Sequence, residues 1–351
     1  MNDTVTFLSA AGELTGELPL EREELLLAYR AVRRVRYFDE RAVTLQRQGR
    51  LGVYAPFRGQ EAAQVGTAMA LRSSDWLVPS YRETGAALTH GLPPSTAILY
   101  WRAHPAGWSY PAGLKLLPFY IPIASQLTHA VGVAHASFLQ GDGSVVMVYV
   151  GDGGSSEGDF HEAMNFAAVY RSPVVFVVQN NGWAISVPTA KQMANQRISE
   201  RAAGYGMQGV TVDGNDLLAV SAVARQAVAR ARAGEGPTLI EAETYRLAPH
   251  TTSDDPGRYR DEELTAKRAE VEPLTRLDKL LAGLGWWDEA AEASLMGELD
   301  SEFSAALKVA DATAMPEPEM IVEHVFATMT PDQLSAWTSL KGAAGERLVS
   351  E

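Results

Sequence analysis

The chain has 351 residues, 46% of them apolar and 21% charged, a composition that supports a substantial buried core and argues against extensive disorder. Its formal net charge of −13 argues against nonspecific nucleic-acid binding, which needs a Lys/Arg-rich stripe to displace counterions from phosphates, so any anion must be held by a local site. Cysteine is absent, which removes disulfides, thiolate metal sites and a cysteine nucleophile.

Residues 1–20 form a polar lead without the basic and apolar segments of a secretory signal, and no apolar run reaches membrane-spanning length. A cytoplasmic protein with no membrane or nucleic-acid partner is expected. Glu21 to Gln48 carries Leu25, Tyr29, Val32, Val35 and Val43 at helical spacing and stops at Gly49, which predicts a long first helix. A Gly/Pro-punctuated turn (APFRGQ), a small-residue helix (EAAQVGTAMAL) and a short apolar-plus-turn segment (WLVPSYRETG) follow. His104 to Pro122, rich in Gly, Pro and aromatics, reads as a long loop.

The pattern then sharpens into a helix over Ala130 to Leu139, a buried strand over Val145 to Val150, a Gly-rich turn, a helix over His161 to Tyr170 and a second buried strand over Val174 to Gln179. Continuous apolar strands flanking a helix predict a βαβ unit in a parallel sheet. Further strands are expected in GVTVDGND and PTLIEAETYR, separated by a helix over Ala219 to Ala233. The polar loop PHTTSDDPGRYR precedes a charged helical tail whose apolar face is marked by Leu295, Leu299, Phe303 and Leu307. The fold class expected is α/β, a mostly parallel doubly wound sheet with helical N- and C-terminal extensions: an α/β domain over residues 21–260 and a helical extension over 261–351 packed on the same unit.

The strongest chemical signal runs from Gly151 to Ser186 (GDGGSSEGDFHEAMNFAAVYRSPVVFVVQNNGWAIS), where Asp152 closes one buried strand and Asn181 the next. Ligands of open parallel sheets bind at the carboxyl ends of strands, so these two side chains should meet there. A carboxylate, an amide oxygen and the backbone carbonyl of Trp183 suit magnesium, which takes oxygen ligands and keeps phosphate oxygens and water. Gly151, Gly153 and Gly154 remove side chains where strand turns into helix, letting backbone N–H groups approach a diphosphate. GDGG by itself also reads as a structural strand-to-helix link, and Asn180 and Asn181 as a turn. Together, at the ends of successive strands, they point to an anion held with a cation.

This GDG-to-NN signature resembles the thiamine-diphosphate motif of transketolase-like enzymes. QRQGRLGVYAPFRGQEAAQVG, VPSYRETG, IPIASQLTHAVG and GPTLIEAETYRLAPHTTSDDPGRYR resemble the alpha subunit of the pyruvate and branched-chain 2-oxo acid dehydrogenases, and the likeness runs from about Leu20 to Thr328. It implies that Asp152, Asn181 and the Trp183 carbonyl hold magnesium, that Gly153 and Gly154 touch the diphosphate of thiamine diphosphate, and that Tyr81 and Arg82 contact its outer phosphate. Ile123 matches a residue lying under the cofactor, although a core isoleucine would read the same way.

The resemblance also places His250 near the reactive carbon, where an imidazole can donate a proton to a carbonyl oxygen or stabilise an alkoxide, with Tyr259 and Arg260 ordering its loop. The other histidines, including His129, read as structural. Ser125 and Gln126 match residues that bind a monovalent cation in some relatives, but Tyr120 and Ile121 replace the small hydroxyl residues found there, which counts against that cation.

The activity implied is oxidative decarboxylation of a small 2-oxo acid, with acyl transfer to the lipoyl group of an acyltransferase. The implied assembly has two alpha and two beta subunits, the beta subunit supplying the glutamate that activates the cofactor. Some segments lean toward pyruvate-type relatives and others, such as NNGWAISVP and YRLAPHTTSDD, toward branched-chain ones; the branched-chain acid is favoured. An acetoin dehydrogenase alpha subunit and an inactive scaffold of the same fold are the alternatives. No GxxxxGK[ST] or GxGxxG nucleotide-binding signature follows a strand.

Overall fold

The computed structural model of the chain describes residues 3–317, 320–323 and 325–349. These fall into two compact units, Met1–Ala310 and Asp311–Glu351. In the first unit the order is helix α1 (Arg22–Arg47), α2 (Glu61–Ala68), strand β1 (Trp76–Val78), α3 (Thr84–Thr89), α4 (Pro94–Trp101), α5 (Ser125–Gln140), β2 (Val146–Gly151), α6 (Gly158–Val169), β3 (Val174–Asn180), β4 (Trp183–Ala184), β5 (Val187–Pro188), α7 (Thr189–Gln192), β6 (Gln208–Asp213), α8 (Leu217–Arg232), β7 (Thr238–Glu243), α9 (Glu262–Ala269), α10 (Pro273–Leu284) and α11 (Glu289–Ala312). The second unit holds α12 (Met320–Glu323) and α13 (Pro331–Val349).

Five strands form one sheet in the order β1-β2-β3-β7-β6, and every pairing in it is parallel. The apolar runs of β2 and β3 are continuous because both faces are covered. Val145, Met147, Tyr149, Val175 and Val177 face a core built with α1, α2, α3, α4 and α8. Val146, Val148, Val150, Val174, Phe176 and Val178 face a second core with α5 and α6. The alternation follows from the two-residue period of a strand, and the result is a sheet sandwiched between helical layers. β4 and β5 make a small antiparallel hairpin directly after β3.

Burial also fixes the helical additions. Leu295, Leu299 and Phe303 are buried along α11, Leu307 packs partly against the core, and Phe303 sets its ring edgewise to Phe38 at 5.7 Å. Arg36 in α1, buried, bonds Glu61 of α2 at 2.6 Å and Glu272 before α10 at 3.0 and 2.6 Å. Its charge is therefore matched on both sides, as a buried ion must be.

Several elements differ from the sequence expectation. Helix α5 begins at Ser125 rather than Ala130, because its first turn is polar and shows no apolar period. The segment 104–122 contains a single 3-10 turn, Pro105–Trp108, and is pinned alongside β1 by the bridges Leu77 to Leu116 and Ser80 to Tyr120. Among the described residues no helix is long and apolar enough to cross a membrane.

Candidate active site

A cavity of about 250 Å³ opens at the carboxyl ends of β2 and β3. Its lining includes Tyr81, Arg82, Ile123, Gly151, Asp152, Gly153, Gly154, Asn181, Trp183 and His250, so residues from five separate segments of the chain meet there. A larger groove of about 740 Å³, lined by Leu247, Ala248, Pro249 and Thr252, contains none of them.

Asp152 is fully buried where β2 gives way to a 3-10 turn. One of its oxygens accepts the hydroxyl of Thr189 at 3.2 Å and the other a long 3.4 Å bond from the Asn181 N–H. Burial pushes its carboxyl above the usual carboxylate range, against the pull of those bonds. The Asn181 side-chain oxygen accepts from the N–H of Trp183 at 3.2 Å, across a turn in which Gly182 takes φ +85°.

Among the described residues no three or more His, Cys, Asp or Glu come together to hold a metal. A cation placed here would draw on one carboxylate with amide and carbonyl oxygens, a hard-oxygen set that suits magnesium.

The glycines form a cradle. A Cβ on Gly154 would sit 2.4 Å from Val150 Cγ2 and 3.1 Å from Ile123 Cγ2, and one on Gly153 would sit 2.9 Å from the Ala184 Cβ, whereas one on Gly151 would meet nothing within 4 Å. Ile123 itself is 44% exposed, which sets it at the cavity wall rather than in the core. The next residue, Ala124, takes φ 66° at the start of α5, a left-handed conformation that costs a non-glycine residue of order 1–3 kcal/mol.

Arg82 is 5% exposed and donates to the Pro56 carbonyl at 2.7 Å and to Nδ1 of His250 at 2.9 Å. Tyr81 sets its ring edgewise to the His250 ring at 6.0 Å. Burial, and then the positive charges of Arg82 and Arg246, push the His250 imidazole down to about 4. The His250 backbone N–H donates to Asp254 at 2.9 Å, and the Tyr259 hydroxyl donates to the same oxygen at 2.5 Å. Arg260 donates to the carbonyls of Arg246, Leu247 and Ala248, so both residues expected to order this loop bond within it.

Gln60, Glu83, Gln179 and Arg246 are among the lining residues that escaped the sequence reading. Arg246, 1% exposed, donates to the Ile185 carbonyl at 2.6 Å and the Tyr259 hydroxyl at 3.1 Å, with longer 3.4 Å contacts to the Trp183 carbonyl and His250 Nδ1. Glu83, 1% exposed and raised by burial, accepts from the Ser80 N–H at 2.7 Å and the Gln179 amide at 2.5 Å. Gln60 Nε2, Gln179 Oε1, Gln126 Oε1 and Arg246 Nε are buried without a hydrogen-bond partner among the described residues, and all four residues line this cavity. Unpaired buried polar atoms are costly, so their convergence on one cavity fits a polar ligand. Of the residues considered for a monovalent cation, Ser125 gives its hydroxyl to the Pro122 carbonyl at 2.8 Å and Ile121 is 64% exposed. His129 contacts the Ser125 carbonyl and the Tyr120 ring.

Comparison with known proteins gives this geometry a family. Residues 29–319 match the family described as dehydrogenase E1 component. The chain belongs to the dehydrogenase E1 component family. That family is one of thiamine-diphosphate-dependent 2-oxo acid dehydrogenases. Within it, the chain is 46% identical over 315 residues to a Mycobacterium tuberculosis protein named 3-methyl-2-oxobutanoate dehydrogenase subunit alpha, covering 88% of this chain and 83% of that protein. It is also 43% identical over 295 residues to a Staphylococcus aureus protein named pyruvate dehydrogenase E1 component subunit alpha, covering 84% of this chain and 80% of that one. The dehydrogenase E1 component match spans every segment that lines the cavity.

Proposed function

We propose that this chain is the alpha subunit of a 2-oxo acid dehydrogenase that decarboxylates a branched-chain acid of the 3-methyl-2-oxobutanoate type and passes the acyl group to the lipoyl arm of an acyltransferase component. It works in a complex with a beta subunit, two copies of each, and binds thiamine diphosphate with magnesium. The observation that carries the reading is the convergence of Asp152, Asn181, Arg82 and His250 on one cavity in a chain 46% identical to a branched-chain relative.

In this reading Asp152, Asn181 and the carbonyl of Trp183 hold magnesium, while the bare backbone at Gly151, Gly153 and Gly154 admits the diphosphate. Arg82 and Tyr81 stand beside its outer phosphate, the guanidinium supplying fixed positive charge in an otherwise acidic protein. Ile123 forms the wall against which the organic part rests. Thiamine diphosphate, when bound, supplies the nucleophilic carbon and the electron sink for loss of carbon dioxide. His250 holds a proton at Nε2, since its Nδ1 is occupied by the Arg82 donor, and that N–H donates to the substrate's carbonyl oxygen.

A second reading, pyruvate as substrate, is favoured by the 43% identity to a pyruvate dehydrogenase subunit. The deciding experiment is turnover of 3-methyl-2-oxobutanoate against pyruvate by this chain co-purified with its beta subunit, with thiamine diphosphate, magnesium and an artificial electron acceptor. Faster turnover of the branched acid supports the proposal, and faster pyruvate turnover moves the assignment. Activity with neither reopens the acetoin-cleaving and scaffold alternatives.

A further inference from the structure

Gln60 is wholly buried at the start of α2, where helix-initiating residues are normally wetted by solvent. Its amide is the last member of a one-way chain. The Trp183 N–H donates to Asn181 Oδ1 at 3.2 Å, and Asn181 Nδ2 in turn donates to Gln60 Oε1 at 3.2 Å. The direction is fixed at its origin, because a backbone N–H can only donate. Gln60 therefore presents Nε2, a two-proton donor, as its remaining end, and that atom is buried, unpartnered and on the wall of the cavity.

We infer that Gln60 is a binding and positioning residue: its Oε1 holds the Asn181 amide with the oxygen turned away from Gln60, and its Nε2–H donates to an oxygen of the diphosphate. The inference rests on the reading that this cavity takes a diphosphate and magnesium. A buried donor facing an anion is a charge-assisted bond, and an orienting partner behind a metal ligand tunes affinity without touching the metal. Gln60 has both properties in one amide.

The test measures, by calorimetry, the magnesium-dependent affinity for thiamine diphosphate and for inorganic pyrophosphate, using the chain assembled with its beta subunit. Gln60→Met should weaken both ligands by about ten- to a hundredfold, the size expected for losing a hydrogen bond to a charged group, with little change in Tm. Unchanged pyrophosphate affinity in that variant overturns the inference. Gln60→Glu keeps an acceptor for Asn181 and replaces the donor by a carboxylate, so at about pH 8 it should weaken pyrophosphate at least as much as Gln60→Met does. Pyrophosphate affinity in that variant equal to that of the unsubstituted protein also overturns it. Asp152→Ala is the control: if pyrophosphate still binds in that variant, the site reading itself has failed, whereas loss there with no effect of Gln60→Met sinks only the role of Gln60.

Discussion

Nη2 of Arg82 lies 2.9 Å from Nδ1 of His250, and a guanidinium has only donors, so the imidazole accepts at Nδ1 and carries its proton on Nε2. The pair thus selects one tautomer of a residue that in water interconverts between two. A second guanidinium, from Arg246, approaches the same nitrogen at 3.4 Å.

The first prediction concerns titration. His250 should remain neutral at neutral pH, because burial and then the two arginines depress it from 6.5 to about 4. Between these values the unfolded chain binds more protons at this position than the folded one, so the contribution to stability is present above 6.5 and is lost as pH falls toward 4. Replacing Arg82 by Met should move the His250 titration back toward 6.5, followed by imidazole nitrogen shifts in NMR. No movement on that substitution would mean that burial alone sets the value.

The second concerns the glycine cradle. Gly154→Ala places a methyl 2.4 Å from Val150 Cγ2 and should destabilise the fold by about 1–3 kcal/mol while weakening cofactor binding. Gly151→Ala meets nothing within 4 Å and should stay within roughly 0.5 kcal/mol of the parent. Denaturant unfolding of the two variants side by side checks the contrast, and equal losses would count against the cradle.

Arg246 is the subject of the third. It is the only side chain described above that bonds both the turn after β3, through the Ile185 carbonyl, and the His250 loop, through Tyr259. Arg246→Met should therefore speed amide exchange in residues 183–187 and 250–259 together, on the order of tenfold, the loss of roughly one charged hydrogen bond. Faster exchange in only one of the two segments would refute the coupling.

A fourth prediction lies outside the cavity. Asp39 is buried, accepts from the Tyr54 hydroxyl at 2.8 Å and the Phe57 N–H at 3.1 Å, and is pushed by burial from 3.8 to about 7. With the folded value raised, its contribution to stability is full below 3.8 and is lost as pH rises through 7. Asp39→Asn, which cannot ionise, should therefore gain on the parent as pH rises from about 4 to about 7 and hold a constant difference above that. Melting temperatures across this range supply the measurement.

How far the sequence foretold this depends on what each residue type must do. β2 and β3 were legible because a strand covered on both faces has to be apolar throughout, and the Asp152 and Asn181 placements followed from where those runs stop. Helices α3 and α4 were not, being short, with unbroken buried runs over residues 84–88 and 97–101 in place of an amphipathic period. Gln60, Glu83 and Arg246 were missed for a related reason: a buried polar residue looks, in sequence, like an exposed one. The signal for Arg246 was its position three residues beyond β7, a strand buried from Thr238 to Ala242. The C-terminal helix α13 carries little apolar periodicity.

β7 lies between β3 and β6, so Asn180 pairs with Glu243 and, among the described residues, β6 has β7 as its one sheet neighbour apart from the bridge from Val5 to Val212. The ribosome must therefore deliver Thr238–Glu243 before the strand that ends at Asn180 acquires its second partner. Until then the valine-rich edge of β3 is an open template for pairing with other chains. A nascent chain that stalls before residue 243 leaves that edge bare, and late closure of a non-local pairing makes this step slow as well as exposed. Exposure of that edge is thus greatest in the interval between synthesis of β3 and synthesis of β7, and the cavity, which Arg246 and His250 help to line, forms only after that interval ends.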